Sequence, residues 1–207
     1  MKSHTPFCRN TSSGFLLVIL ITGLSGCSRS GEPISSEYAT VQPRLVLLYV
    51  TCSLNKNYLS PYNRDVVYTP QLEKFASRGL VFERHQTSCG QSGPAYASIY
   101  SGGDPILHGI YAHPKKLSES VYLITEAYSD NGWDTFSWLR HFNANSRLNY
   151  AQGVPNDRQQ SDFLRAEDPI FKQVLEQLRT DQKKRVFITT NFTVTHAPYN
   201  PEESLYC

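Results

Sequence analysis

The stretch SGPAYASIYSGG (92–103) joins a serine to a proline two residues on, followed by small and apolar residues up to a Gly-Gly stop. This layout places the Ser92 hydroxyl at the mouth of a helix, where unpaired N–H groups and the helix dipole favour negative charge on a nucleophile or its product. A hydroxyl used in this way needs a cation nearby, yet the residue four positions on is Tyr96. As a chemical element Ser92 is a candidate nucleophile; as a structural one it is an N-cap residue. Two histidines follow apolar strand-like runs, His141 after WDTFSWLR and His196 after RVFITTNFTVT. Each is read either as a proton donor or oxyanion contact, or as an imidazole hydrogen-bonded at a strand end. His108 in the HGI segment reads as structural, and Cys52 as either a reactive or metal-binding thiol or a small buried apolar residue.

The elements that must carry these groups alternate. The run RLVLLYVTC (44–52) suits a strand buried on both faces, as does RVFITTNFT (185–193); LVFERHQTS (80–88) and WDTFSWL (133–139) also look strand-like. Residues 69–79 carry the helix punctuation of Thr69, Pro70 and Gly79; 118–132 has amphipathic spacing, and 168–182 opens on an Asp-Pro cap. The polar stretch 143–162 reads as a loop. Alternating strands and helices predict an α/β fold with a largely parallel central sheet and helices on both faces. In such sheets sites form beyond the carboxyl ends of the strands, which brings 51–57, 88–92, 140–141 and 195–198 to one edge.

Composition bounds the rest. The chain has 207 residues, enough for one domain with a substantial core, and a net charge of +2 that argues against a nucleic-acid partner. The longest basic run, Lys183 to Arg185, sits where a strand begins and reads as a solvated surface. Lys2 and Arg9 precede the apolar run GFLLVILITGLSGC, which is short for a membrane span and ends in small residues, as a secretory signal does. Leu24-Ser25-Gly26-Cys27 is similar to a bacterial lipobox, which implies residues 1–27 as a lipoprotein signal, acylation of Cys27, and 28–43 as a flexible tether. The expected location is the bacterial cell envelope, periplasmic or surface-facing, with the membrane as a partner through the lipid anchor. Outside the signal region Cys52, Cys89 and Cys207 show no zinc-type spacing, and an oxidising exterior permits one disulfide of unspecified pairing.

From 44 onward the chain resembles the sulfatase branch of the alkaline phosphatase superfamily. LLYVTCSLNKNYLSPYN resembles the first strand and metal loop, YTPQLEKFASRGLVFERHQTS the TPNLDRLAAEGVRFTNAYS passage, and SGPAYASIYSGGDPILHGI the C-x-P-S-R-A-S-L-L-T-G nucleophile block with its P-x-x-H-G. TEAYSDNGWDTFSWLRH resembles the passage ending in G-K-W-H, and VFITTNFTVTHAPYNPEE the one ending in D-P-H-x-P-Y. The blocks stand in family order. The resemblance implies residues 44–207 as the N-terminal part of a sulfatase-like domain, with a sheet incomplete at its C-terminal end. It also implies a divalent metal, usually calcium, and a formylglycine nucleophile made from Cys or Ser.

Site residues carry over unevenly. Ser92 falls on the nucleophile and keeps Pro94, but the arginine falls on Tyr96; the first metal aspartates fall on Cys52 and Ser53, and a further one on Asn57. The lysine of G-K-W-H falls on Leu139, beside Arg140, while His141 is kept; D-P-H keeps His196, Pro198 and Tyr199. The expectation is therefore a sulfatase-like lipoprotein impaired or inactive as a sulfuric ester hydrolase, with Ser92, His141 and His196 as the remaining site groups and calcium doubtful. Two other readings stand beside it: a phosphoryl-transferring or hydrolysing relative using the Ser92 hydroxyl, and a non-catalytic binder of a sulfated or other anionic glycan or of a protein.

Overall fold

A computed structural model describes residues 42–196. Four parallel strands form one sheet: β1 (Leu45–Thr51), β2 (Asp134–Leu139), β3 (Gln159–Gln160) and β4 (Val186–Phe192), in the spatial order β1-β4-β2-β3. The helices are α1 (Pro70–Ala76), α2 (Ser92–Ser101), α3 (Pro105–His108), α4 (Ile124–Asp130) and α5 (Pro169–Thr180). β4, the last strand in sequence, lies between β1 and β2, so its chain is flanked on both sides and buried almost throughout.

The period-two alternation of the strands divides the core into two layers. Val186, Ile188, Phe136 and Trp138 face α5, against Val174 and Leu178. Leu139 faces the opposite layer with Tyr96, Ala97, Tyr100 and Leu123, and Leu48 and Val50 of β1 pack there too. Helices therefore cover both faces, as the alternation of elements requires. α5 begins where its Asp-Pro signal places it: one carboxylate oxygen of Asp168 accepts from the backbone N–H of Ile170 and Phe171, and the other from Trp138 Nε1 at 3.0 Å, so the cap also pins the helix to β2.

Four expectations are corrected. β1 is not buried on both faces: Leu45, Leu47 and Tyr49 are exposed on the side away from Leu48 and Val50. Residues 80–88 form no strand; Leu80 is 87% exposed and Phe82 68%, and no described strand lies beside them to complete a ladder. The helix expected over 118–132 starts only at Ile124, because the Glu126 carboxylate turns back to accept from the Leu123 N–H at 2.8 Å and fixes the first turn there. The stretch 143–162 is irregular but not a surface loop: Ala144, Tyr150, Ala151 and Val154 are buried in the α2 layer, and β3 within it pairs with β2.

Candidate active site

β1, β2 and β4 run parallel, so their carboxyl ends open on one side, and α2 points its first turn at the same place. Helix α2 starts at Ser92 itself, with Gln91 as its uncapped N-cap residue, so the structural reading of Ser92 as N-cap is corrected to first helical residue. Pro94 fits because an N–H in the first turn has no intrahelical acceptor to lose, and Gly102 ends the helix at φ +68°. The helix is fixed by Tyr150, whose hydroxyl donates to the Gly93 carbonyl at 3.0 Å, and by Thr189, whose hydroxyl donates to Tyr100 Oη at 2.8 Å.

Cys52, the residue after β1, stands at the centre. Its backbone N–H donates to the Phe192 carbonyl at 2.8 Å, extending the ladder by one residue, and its carbonyl accepts from the Thr195 hydroxyl. Ser53 then turns the chain sharply, with φ +56°, a left-handed conformation costly for a residue with a Cβ. Around the buried Cys52 sulfur lie His141 Nε2 at 3.5 Å, Ser92 Oγ at 3.6 Å and Ser53 Oγ at 3.7 Å.

The chemistry of this cluster follows from the tautomer of His141. Its Nδ1 accepts from the Asn143 backbone N–H at 3.0 Å, so the ring proton is on Nε2, which donates to the Cys52 sulfur. Burial pushes the imidazole down to about 4, helped by the neighbouring His196 and His113. With Nε2 already protonated and Nδ1 engaged by a donor, His141 is a neutral hydrogen-bond donor and cannot take the proton of Ser92 or Cys52. Its own N–H donates to Asn191 Oδ1 at 3.0 Å, and Asn191 Nδ2 donates to the Ala144 carbonyl at 2.8 Å, which locks the β2 end to β4.

Tyr96 fills the space one helical turn behind Ser92. It is 3% exposed, its ring centre is 5.1 Å from that of His141, and its hydroxyl has no hydrogen-bond partner. Burial raises its phenol far above the usual tyrosine range, with Tyr100 and Cys52 adding to the effect, so it stays neutral. The cleft outside this cluster encloses about 450 Å³ and is lined by Cys52, Ser53, Ser92 and Tyr96 together with the apolar Val50, Leu54, Ala95 and Ile99 and the polar 85–91 segment.

Of the sequence candidates, Cys52, Ser92 and His141 meet, and His196 joins their edge, half-buried with its ring centre 6.4 Å from that of His141. Asn57 does not line the cleft; it is exposed, its N–H bonded to Asn55 Oδ1 and its carbonyl to Asn63 Nδ2. Arg140 turns outward to Asp162 at 3.0 Å and lies over Phe163. His108 is structural as read: Nδ1 accepts from the Ile110 N–H and Nε2 donates to Ser98 Oγ at 3.0 Å. Asn191 and Tyr150 are site supports that the motifs do not name; for Asn191 the signal is an Asn inside the apolar run VFITTNF, where a buried amide needs partners. Cys27, Pro198 and Tyr199 lie outside the described residues.

The profile of the sulfatase family matches residues 44–206. A search of curated proteins finds no match for the chain. Among solved structures, a 4S-sulfatase of Bacteroides thetaiotaomicron is 16% identical with a TM-score of 0.57, covering 77% of this chain and 46% of that one. A structure in complex with its substrate D-glucosamine-2-N,6-O-disulfate is 15% identical with a TM-score of 0.59, covering 75% and 35%. A 2-O GAG sulfatase is 16% identical with a TM-score of 0.54, covering 77% and 36%. The chain thus spans less than half the length of these structures, and at such identity the likeness is one of fold.

Proposed function

The chain belongs to the sulfatase family over residues 44–206, and on that premise we propose an exported, sulfatase-like domain that has lost metal-assisted sulfate-ester hydrolysis and keeps its cleft for binding a glycan. The observation that carries this reading is the Cys52 thiol, in the family's position for a metal-binding carboxylate, with His141 Nε2 at 3.5 Å and Ser92 Oγ at 3.6 Å. Calcium takes six to eight oxygen ligands, carboxylates foremost. A thiol, serine hydroxyls and imidazole do not suit it, and no three His, Cys, Asp or Glu side chains converge to hold a metal among the described residues. The described residues do not fit the family's cation.

The nucleophile is also poorly served. Tyr96, at the position of the signature arginine, supplies no positive charge, and the Nε2–H tautomer of His141 leaves the Ser92 hydroxyl without a base there. A phosphoryl-transferring relative would need the same missing carboxylates, so the Ser92 hydroxyl favours it no further. Binding without catalysis has an observation in its favour, the cleft beside Ser92, in which the apolar Val50, Leu54, Ala95 and Ile99 stand among polar groups. Sulfated sugars as the substrates of similar folds support a carbohydrate as the ligand class.

Export and acylation at Cys27 belong to the same proposal, supported by the apolar segment and Leu-Ser-Gly-Cys ending. In bacteria fed an alkyne fatty acid, the chain is expected to take up the label and Cys27→Ala to lose it; equal labelling refutes the anchor. For the site, calorimetry with calcium chloride is expected to register no binding up to millimolar concentration, and micromolar binding refutes the loss of the metal centre.

A further inference from the structure

The turn that follows β2 shapes a second cleft, of about 410 Å³, walled by Leu139, Arg140, Phe142, Ser146, Arg147 and Ser161 among others. Asn145 holds the turn together: its amide nitrogen donates to the carbonyls of His141 and Phe142 at 2.9 and 3.1 Å, and its Oδ1 accepts from the Leu148 N–H at 3.2 Å. These bonds fix the backbone that carries Phe142 and Arg147. The Phe142 ring is 66% exposed yet stacks on His141, with ring centres 4.9 Å apart and planes within 12° of each other. A single exposed phenylalanine means little by itself. Held in place beside guanidinium groups, it is a flat platform for the C–H face of a sugar ring.

The charged side chains of this wall are Arg140 and Arg147, both exposed. Arg140 is oriented by Asp162 at 3.0 Å and by the Phe163 ring, whose centre is 4.5 Å away. Arg165 also attracts Asp162, so that carboxylate is shared between two guanidinium groups and the wall keeps positive charge. A guanidinium takes a carboxylate or a sulfate ester through two parallel N–H···O bonds. Ser146 and Ser161 add exposed hydroxyls, which donate and accept as sugar hydroxyls require. His141 joins this cleft to the first one: its Nε2 meets the Cys52 sulfur at 3.5 Å while its ring face meets Phe142, so one imidazole separates the two.

We infer that the second cleft is a subsite for an acidic sugar, whose ring stacks on Phe142 and whose sulfate ester or carboxylate pairs with Arg147. The inference rests on the glycan-binding reading above and deepens it, by naming the side chains that hold the anionic group.

The test titrates the purified chain by calorimetry, in EDTA, with N-acetylglucosamine, N-acetylglucosamine 6-sulfate and glucuronic acid. At least one acidic sugar is expected to bind about three- to tenfold more tightly than the neutral one, the range of a partly exposed, charge-assisted pair. Arg147→Gln should remove that advantage and leave the neutral sugar unchanged, whereas Arg179→Gln, at an exposed arginine of α5, should change nothing. Phe142→Leu keeps an apolar contact with His141 but removes the flat face, and should weaken every sugar at least about twofold. Which acidic sugar depends on Arg147 separates a sulfate ester from a carboxylate. Neutral and acidic sugars binding alike, equal losses in Arg147→Gln and Arg179→Gln, or an unchanged Kd in Phe142→Leu would overturn the subsite and leave the glycan-binding reading standing. Binding of none of the three sugars would overturn both. Calcium-dependent sulfate release from the 6-sulfate would refute the loss of catalysis, and only that.

Discussion

Acidification should unfold this domain through His141 more than through any carboxylate of its surface. The ring is 1% exposed, its Nδ1 is occupied by the Asn143 N–H, and its second nitrogen already carries a proton. A second proton therefore has to break the Asn143 bond and charge a buried group near His196 and His113, which is why the imidazole is held down at about 4. In the unfolded chain the same residue titrates near the ordinary value of about 6.5. Between those two values the unfolded state binds a proton that the folded state refuses. The contribution to stability is complete above about pH 6.5 and is lost as pH falls through about 4. The slope is about 1.4 kcal/mol per pH unit, so about 2.5 kcal/mol is lost by pH 4.5. Urea unfolding followed by tryptophan fluorescence at pH 7.0 and 4.5, for the parent and for His141→Gln, isolates this effect. Glutamine keeps a donor toward Cys52 without titrating. His108, also pushed down by burial against the opposing pull of Asp104, contributes equally to both proteins. The parent should lose about 2.5 kcal/mol more than the variant over this range. Parallel losses would refute the assignment of His141 as a buried, neutral donor.

Further outcomes follow from individual contacts. Tyr96→Phe removes a buried hydroxyl without a partner and should stabilise the free chain by about 1 kcal/mol, read as a raised urea midpoint. Gly153→Ala should cost at least about 3 kcal/mol, or prevent folding, because φ is +76° and the new Cβ would lie 2.5 Å from the Glu126 nitrogen at the start of α4. Asp134 sits between Arg158, at 2.6 Å, and Lys184; burial alone would raise its carboxyl, but these two cations hold it below the usual range. Asp134→Asn should cost about 1 kcal/mol at pH 7, the pair being partly exposed, and the difference should disappear as pH falls below about 4, where the unfolded carboxyl is protonated.

Much of this arrangement was written in residue order. The apolar run of β4, the Asp-Pro start of α5 and the Gly102 stop of α2 are local signals that tertiary packing reinforced, and parallel strands then force Cys52, His141 and His196 to one edge. What failed was information that residue types do not hold. The alternation of Leu80 and Phe82 is that of a strand, but a strand exists only with a neighbour, and the described residues provide none. Tyr150 lies in a polar stretch, and only its contact with the Gly93 carbonyl reveals it as a support of α2. The tautomer of His141 depends on where a backbone N–H of Asn143 points, a matter of loop geometry. Cys52 was readable as a lost carboxylate through its family register, but not as the sulfur on which Ser92 and His141 meet.

The proposed loss of hydrolytic chemistry at this sulfatase-family site is tested most directly by sulfate release from the purified chain. With 4-nitrophenyl sulfate and N-acetylglucosamine 6-sulfate as substrates, the same background rate is expected in calcium, in EDTA and in Ser92→Ala. Release that requires calcium and disappears in Ser92→Ala would contradict it.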